Sequence, residues 1–237
     1  MKDNQAIVMF DLDGTLFDTA QAIPLTFNAA FRALGLPAFS ADEIRVTIGL
    51  PLEKAFSDLM NLAVDHPQVI CAVNEYQRQF KTIILPAAKD LLFPGVATGL
   101  EHLHSSGFRL SVTTNKFSHS ANTLLSAAGI AHFFDIVVGA DEVASKKPHP
   151  ESGQKILDFF QADKSQAIMV GDTTHDILMA NNLGSASIAV SYGIHDKNTL
   201  IAARPGILVD SFDDVVKQCH EMTARAVAGE SSVNITR

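Results

Sequence analysis

In the segment "IVMFDLDGTLFDT", residues 7–19, an apolar run ends in Asp11 and Asp13, and Gly14 follows at once. Residues two apart on a strand project to the same side, so this spacing holds the two carboxylates together. Like charges that close repel, and each resists ionising beside the other. The pair therefore requires a cation between its oxygens or a proton on one of them, and either need points to chemistry. Three more segments carry polar residues of the same kind: "TTNK" (113–116), "SKKPHP" (145–150) and "GDTTHD" (171–176). The four segments together offer Asp11, Asp13, Asp172 and Asp176, the hydroxyl of Thr114, the side chain of Asn115, and a lysine at 146 or 147.

The elements around these residues explain how they could meet. Strands are predicted over residues 6–10, 108–114, 134–140, 166–172, 185–193 and 206–212, most of them near-continuous apolar runs suited to burial on both faces of a parallel sheet. Helical patterns fall between them, near 95–106, 118–129, 150–161, 174–183 and 211–224. Strand then helix, repeated, predicts a doubly wound α/β fold. Ligands bind such sheets beyond the carboxyl ends of the strands, where the polar segments sit. From about residue 20 to 88 the pattern is helical alone. Phe27, Ala30, Phe31 and Leu34 form one stripe, and Val69, Val73, Tyr76, Phe80 and Ile83 form another. About seventy residues are too many for a crossover, so a helical domain is expected over 18–90, inserted into a core of 1–17 and 91–226. Residues 227–237 are expected to be a frayed tail. Asp18 and Thr19 stand where the first inserted helix should start and are read as helix caps.

"DLDGTLFDT", "TTNK", "KKPHP" and "GDTTHD" resemble, in order and spacing, the four motifs of the haloacid dehalogenase-like superfamily of phosphohydrolases. The insertion after the first motif is similar to that family's cap domain, and "FPGV", "TNK", "KKPHP" and "SYG" most resemble its phosphoglycolate phosphatase group. The resemblance implies a Mg²⁺-dependent phosphatase acting on a small phosphorylated metabolite, foremost phosphoglycolate. Phosphate monoesters hydrolyse so slowly that enzymes supply accelerations of up to ~10²¹-fold, and a carboxylate nucleophile divides the reaction into two easier steps. Asp11 is the expected nucleophile. Mg²⁺ takes hard oxygen ligands, and the resemblance implies Asp11, the backbone carbonyl of Asp13 and the side chain of Asp172. Asp176, one helical turn beyond Asp172, is expected to act through a water. Asp13, crowded by carboxylates, would carry a proton to the leaving alkoxide and take one back from water. Thr114 and the backbone amides near Asn115 would bind phosphoryl oxygens, and Lys147, which directly precedes Pro148 as in the family pattern, would neutralise charge. Gly49, in the loop "VTIGLPLE" (46–53), resembles the family's substrate-recognition loop.

Composition narrows the alternatives. The 237 residues carry a formal charge of −8, unsuited to nucleic acid or an anionic membrane surface. Hydrophobic residues make up 47% and charged ones 19%, as in a globular chain, with no apolar run of membrane-spanning length. Cys71 and Cys219 have no metal-ligand spacing, and "MKDNQAIVMF" lacks a signal-peptide pattern, so a cytoplasmic protein is expected. The sequon at Asn234 is then read as chance. A sugar phosphomutase, a phosphonatase using Lys54 as an imine, a metal-independent dehalogenase and a non-catalytic binder compete on the same scaffold. Thr15 is read as structural, His175 as a solvent-facing residue at a helix start, and His102 and His104 as too poorly aligned for a metal pair. Arg45 and Lys54 flank the 46–53 loop and are read as solvated, and the oligomeric state is not legible.

Overall fold

The four apolar residues Ile7–Phe10 form strand β1, and every one is buried. Alternate side chains serve opposite faces: Val8 and Phe10 join one hydrophobic cluster, Ile7 and Met9 another. That two-sided burial is why the run is continuous rather than alternating. The computed structural model describes residues 5–228, with side chains to 225. Beyond β1 the chain forms helices α1 (Ala22–Ala33), α2 (Ala41–Arg45), α3 (Leu52–Met60) and α4 (Pro67–Ile83) before α5 (Val96–Ser105). Then come β2 (Arg109–Thr113), α6 (Ser118–Ala128), β3 (Ile136–Val138), α7 (Glu151–Phe160), β4 (Ala167–Gly171) and α8 (Thr174–Leu183). The described chain ends with β5 (Ala186–Val190), α9 (Lys197–Ala202), β6 (Ile207–Val209) and α10 (Phe212–Ala228).

All strand pairs are parallel, in the order β3-β2-β1-β4-β5-β6, the doubly wound arrangement expected. The order reverses at β1. In register, Phe10 lies level with Val112 of β2 and Val170 of β4, so Asp11, Thr113 and Gly171 emerge side by side. The first polar residues after three strands thus share one end of the sheet.

Helices α1–α4 occupy the insertion, and no strand lies among them. Their core is aromatic: Phe27 sits 4.4 Å from Phe56 and 4.8 Å from Tyr76, and Phe31 5.4 Å from Phe56, centroid to centroid. Chain leaving and returning to the sheet is laced together, Asp18 N donating to Leu91 O at 2.7 Å and Phe93 N to Leu16 O at 3.1 Å. That lacing corrects the reading of Asp18 and Thr19. It carries the extended chain past them, so α1 starts at Ala22 with Gln21 at the N-cap and no side-chain cap bond. Strands β3, β5 and β6 are shorter than their apolar runs, and α9 was not expected at all; Asp196 starts it by accepting from Asn198 N and Thr199 N. Helix α10 continues to Ala228, two residues into the expected tail; the rest of that tail and Asn234 lie outside the described residues. Leu34, read into the buried stripe, is 38% exposed because α1 ends one residue before it. Cys71 is exposed, Cys219 buried, and both are free thiols. Among the described residues no helix is long and apolar enough to cross a membrane.

Candidate active site

The turn after β1 builds the first half of the site. Gly14 adopts φ +88°, and a Cβ there would stand 2.0 Å from Asp172 Oδ2. Both the backbone angle and the space demand glycine, and its absence of side chain lets the β1 and β4 loops touch. From the same turn Thr15 Oγ1 donates to Asp172 Oδ1 at 2.7 Å, while Ile194 N donates to Asp172 Oδ2 at 2.8 Å. The second half comes from the start of α8. Asp176 reaches back along the helix, its Oδ2 accepting from Thr173 N at 3.0 Å and Thr173 Oγ1 at 2.8 Å. This Thr-x-x-Asp reciprocity fixes the carboxylate at a helix N-terminus, where negative charge is favoured.

Lys147 joins the halves. Its Nζ donates to Asp11 Oδ1 at 2.9 Å, Asp176 Oδ1 at 2.6 Å and Thr113 O at 2.9 Å. Three donors and three acceptors leave the ammonium saturated. Its backbone is tied as well: Lys147 N donates to Asn115 Oδ1 at 3.1 Å, and Asn115 Nδ2 returns a bond to Lys147 O at 3.2 Å. Lys146 points the other way, into an ion pair with Glu53 of α3.

The charge balance of the cluster is incomplete. Asp11, Asp172 and Asp176 are all buried, and each offers an oxygen within 4.8 Å of the others. Three carboxylates against the one ammonium of Lys147 leave two negative charges uncompensated. Burial, opposed by Lys147 and reinforced by Asp176, pushes the Asp11 carboxyl up to about 6. Burial, then Asp176 and Asp11, raise Asp172 well above the carboxylate range, against the bonds from Ile194 and Thr15. Burial alone would pull the Lys147 ammonium down, but Asp11 and Asp176 outweigh it and hold it above its ordinary value. Two missing positive charges among hard oxygen donors are what a divalent cation of the Mg²⁺ type would supply, so the residues fit such an ion.

The remaining expected residues lie around a cavity of about 60 Å³ that opens on Asp11 and Asp13 beneath the inserted helices. Thr114, Asn115 and Gly49 line it. Thr114 Oγ1 accepts from Lys116 N at 3.2 Å, and Asn115 Nδ2 donates to Gly49 O at 2.8 Å, a direct link from the 46–53 loop to the sheet. The Asn115 side chain is thus already bonded within the protein. Asp13 Oδ2 pairs with Lys116 Nζ at 2.8 Å, and Asp13 Oδ1 is buried without a protein partner among the described residues. Arg45 bonds Asp42 and Gln21, while Lys54 pairs with Asp58 on the exposed side of α3; neither lines the cavity. His175 is half-buried rather than solvent-facing, its Nδ1 unpartnered among the described residues.

Four contributors have no site role in the sequence reading: Thr15, read there as structural, and Thr173, Lys116 and Glu53. The Thr173-x-x-Asp176 pattern before an apolar run is a capping-box signal and could have been recognised. The other three depend on contacts between distant segments and leave no local signature.

The family model for haloacid dehalogenase-like hydrolases matches residues 8–190. The chain is 48% identical over 216 residues to "Probable phosphatase IndB" of Dickeya dadantii, covering 91% of this chain and 94% of that protein. It is 32% identical over 217 residues to a phosphoglycolate phosphatase of Vibrio parahaemolyticus, covering 89% and 94%. Its structure is similar to that of a haloacid dehalogenase-like family hydrolase from Streptococcus pneumoniae, with TM-score 0.77 and 30% identity over 91% of this chain and 98% of that one. A match running from β1 to the last residue of β5 takes in all four segments that carry the carboxylates and Lys147, and the chain is therefore a member of the haloacid dehalogenase-like hydrolase family.

Proposed function

We propose that this hydrolase is a Mg²⁺-dependent phosphatase that cleaves a small phosphate monoester through an aspartyl-phosphate on Asp11. The observation that carries the reading is the Asp11–Lys147–Asp176 chain, buried against Asp172 and opening on a cavity. Asp11, Asp172 and the backbone carbonyl of Asp13 would hold the ion, with Asp176 in outer contact. Bound there, Mg²⁺ supplies the positive charge that lets a carboxylate approach an anionic phosphate.

The protein's own groups then have distinct tasks. A carboxylate oxygen of Asp11 forms the bond to phosphorus as the ester oxygen leaves. Asp13, with Oδ2 held by Lys116, would carry the proton on its unpartnered Oδ1, give it to that oxygen and, in the second half, take one from the water that hydrolyses the acyl phosphate. Lys147 remains charged beside Asp11 and offsets the negative charge that builds on the phosphoryl oxygens. Thr114 and the amides near Asn115 orient those oxygens, and Gly49 brings the cap loop against them. Residues 18–90 act as a cap on a core of 1–17 and 91–226, hinged where Leu16–Asp18 pairs with Leu91–Phe93, and closure keeps water from the intermediate. The two free cysteines accord with a cytoplasmic location.

The name of the Vibrio relative makes phosphoglycolate the first ester to try. Phosphate release from it and from 4-nitrophenyl phosphate is measured with Mg²⁺, with chelator, and with Asp11→Asn. Release that needs Mg²⁺ and is lost in the variant is the expected result. Turnover surviving either change would refute the mechanism.

A further inference from the structure

The cavity above Asp11 has a chemical character of its own. Its walls are Phe27, Tyr76 and Phe80 from the inserted helices, Ile48 and Leu50 from the 46–53 loop, and Phe117 from the sheet side. Burial pushes the Tyr76 hydroxyl up to about 12, so it stays neutral, and Gln77 and Ser120 add further neutral polar groups. Among the described lining residues Lys116 is the one cation, against the carboxylates of Asp11 and Asp13. Lys116 is engaged: it lies 2.8 Å from Asp13 Oδ2 and 5.2 Å from the centre of the Phe80 ring. A substrate carboxylate placed there would have to share this one ammonium with Asp13, two like charges held side by side. Arg45, Lys54 and Lys146 are spent on Asp42, Asp58 and Glu53, and none of them lines the cavity.

A phosphate ester whose phosphorus meets Asp11 must place its leaving group in this space. A second anionic group there would lose its water and find hydrocarbon and an ammonium already paired with Asp13 in return, which is costly for any buried charge. A neutral hydrocarbon or ring would instead be buried against apolar walls, where a single methylene changes selectivity by about 10–200-fold. Resting on the phosphatase reading of the same site, we infer that the leaving group is an uncharged, largely apolar alcohol, and that esters bearing a carboxylate next to the phosphate are disfavoured.

The test compares kcat/KM for Mg²⁺-dependent phosphate release from two matched pairs: benzyl against 4-carboxybenzyl phosphate, and ethyl phosphate against phosphoglycolate. Within the benzyl pair the leaving alkoxides are similar in basicity, so the ratio reads the pocket. The neutral benzyl ester is expected to lead by about 10-fold or more. Equal or better use of the carboxylate ester in either pair overturns the inference and leaves the phosphatase reading standing. Release from none of the four overturns both. In Gln77→Arg, which adds a cation to the cavity wall, the carboxybenzyl ester is expected to gain about 10-fold relative to benzyl. An unmoved ratio in that variant, shown folded by circular dichroism, overturns the assignment of the preference to a missing cation.

Discussion

The position of one ammonium decides most of the chemistry at residue scale. Lys147 is held between Asp11 and Asp176, and Asp176 is itself anchored by Thr173. Replacing Asp176 by Asn keeps the shape but removes one of the two charges that fix the lysine. Turnover is expected to fall about 10–100-fold, the usual effect of losing an outer partner at a metal site, with Mg²⁺ affinity lowered alongside. Steady-state kinetics and Mg²⁺ titration of the variant check both, and an unchanged affinity would assign Asp176 to Lys147 alone. The raised Asp11 carboxyl makes a second prediction. Between its ordinary value of 3.8 and about 6, the folded metal-free protein holds a proton that the unfolded chain has released. This group's contribution to metal-free stability therefore falls as pH rises through that window. Mg²⁺ must displace this proton and the one that burial favours on Asp172, so its affinity is expected to climb as pH rises from 5, by up to about tenfold per pH unit for each proton displaced. Calorimetric titrations from pH 5 to 8 would show it, and a flat profile would argue against Asp11 as a ligand. Asp11 and Asp172 were legible because each closes an apolar run, Asp176 because it lies one helical turn beyond Asp172, and Lys147 because it precedes a proline. The Lys116–Asp13 pair was not, because it needs β2 beside β1, a fact of sheet order rather than of local spacing.

At element scale the site depends on two loops that touch without side chains between them. Gly14 approaches Asp172 so closely that Gly14→Ala must move either the β1 turn or the β4 loop. The positive φ adds backbone strain of about 1 kcal/mol for any residue with a Cβ. Urea unfolding is expected to show a loss of that size or more, and Mg²⁺ binding is expected to weaken well beyond it, because the displaced carboxylate is Asp172. If stability drops while Mg²⁺ affinity holds, the turn is structural and does not set the ligand geometry. Elements with strongly patterned segments could be read from the chain: β1, β2, β4 and, in the insertion, α1 and α4. Their ends could not. The apolar run at 134–140 supplies only Ile136–Val138 to the sheet, between short helical turns at Ala131–Phe133 and Ala140–Glu142. Helix α9 has too few apolar residues to show a period and owes its start to Asp196. Asp18 and Thr19 looked like caps because their types fit, yet the pairing of outgoing and returning chain claims that stretch first.

At the scale of the whole molecule, the sheet and the inserted helices each bury an ionisable group that alkali can use as a probe. Burial pushes the thiol of Cys219, in α10 against the sheet, up to about 12 from 9.0. Burial, partly opposed by Lys116, pushes the hydroxyl of Tyr76, in the aromatic centre of the insertion, up to about 12 from 10.0. In both, the folded chain keeps a proton that the unfolded chain releases, so neither affects stability below pH 9. Above it, stability must fall as pH rises, by up to about 1.4 kcal/mol per pH unit for each group that titrates only when unfolded. Cys219→Ala removes its own share of that slope on the sheet side, where the Tyr192 hydroxyl, also raised by burial, keeps a share, and Tyr76→Phe removes the part belonging to the insertion. Cys71, exposed, should react with a thiol reagent at once at pH 8, and Cys219 only on unfolding. Urea unfolding at pH 8 to 11 then reads the coupling between the two parts. They are joined by the Asn115–Gly49 bond, the Lys146–Glu53 pair and the laced linkers. If those contacts make one cooperative unit, both substitutions flatten the alkaline fall of a single transition, followed equally by Cys219 labelling and by tyrosine absorbance. If the insertion opens on its own, as a cap that admits substrate must be able to do, Tyr76→Phe alters an early transition in which Cys219 stays protected. A stability that does not change from pH 8 to 11 would mean that neither group is as deeply buried as the packing around it indicates.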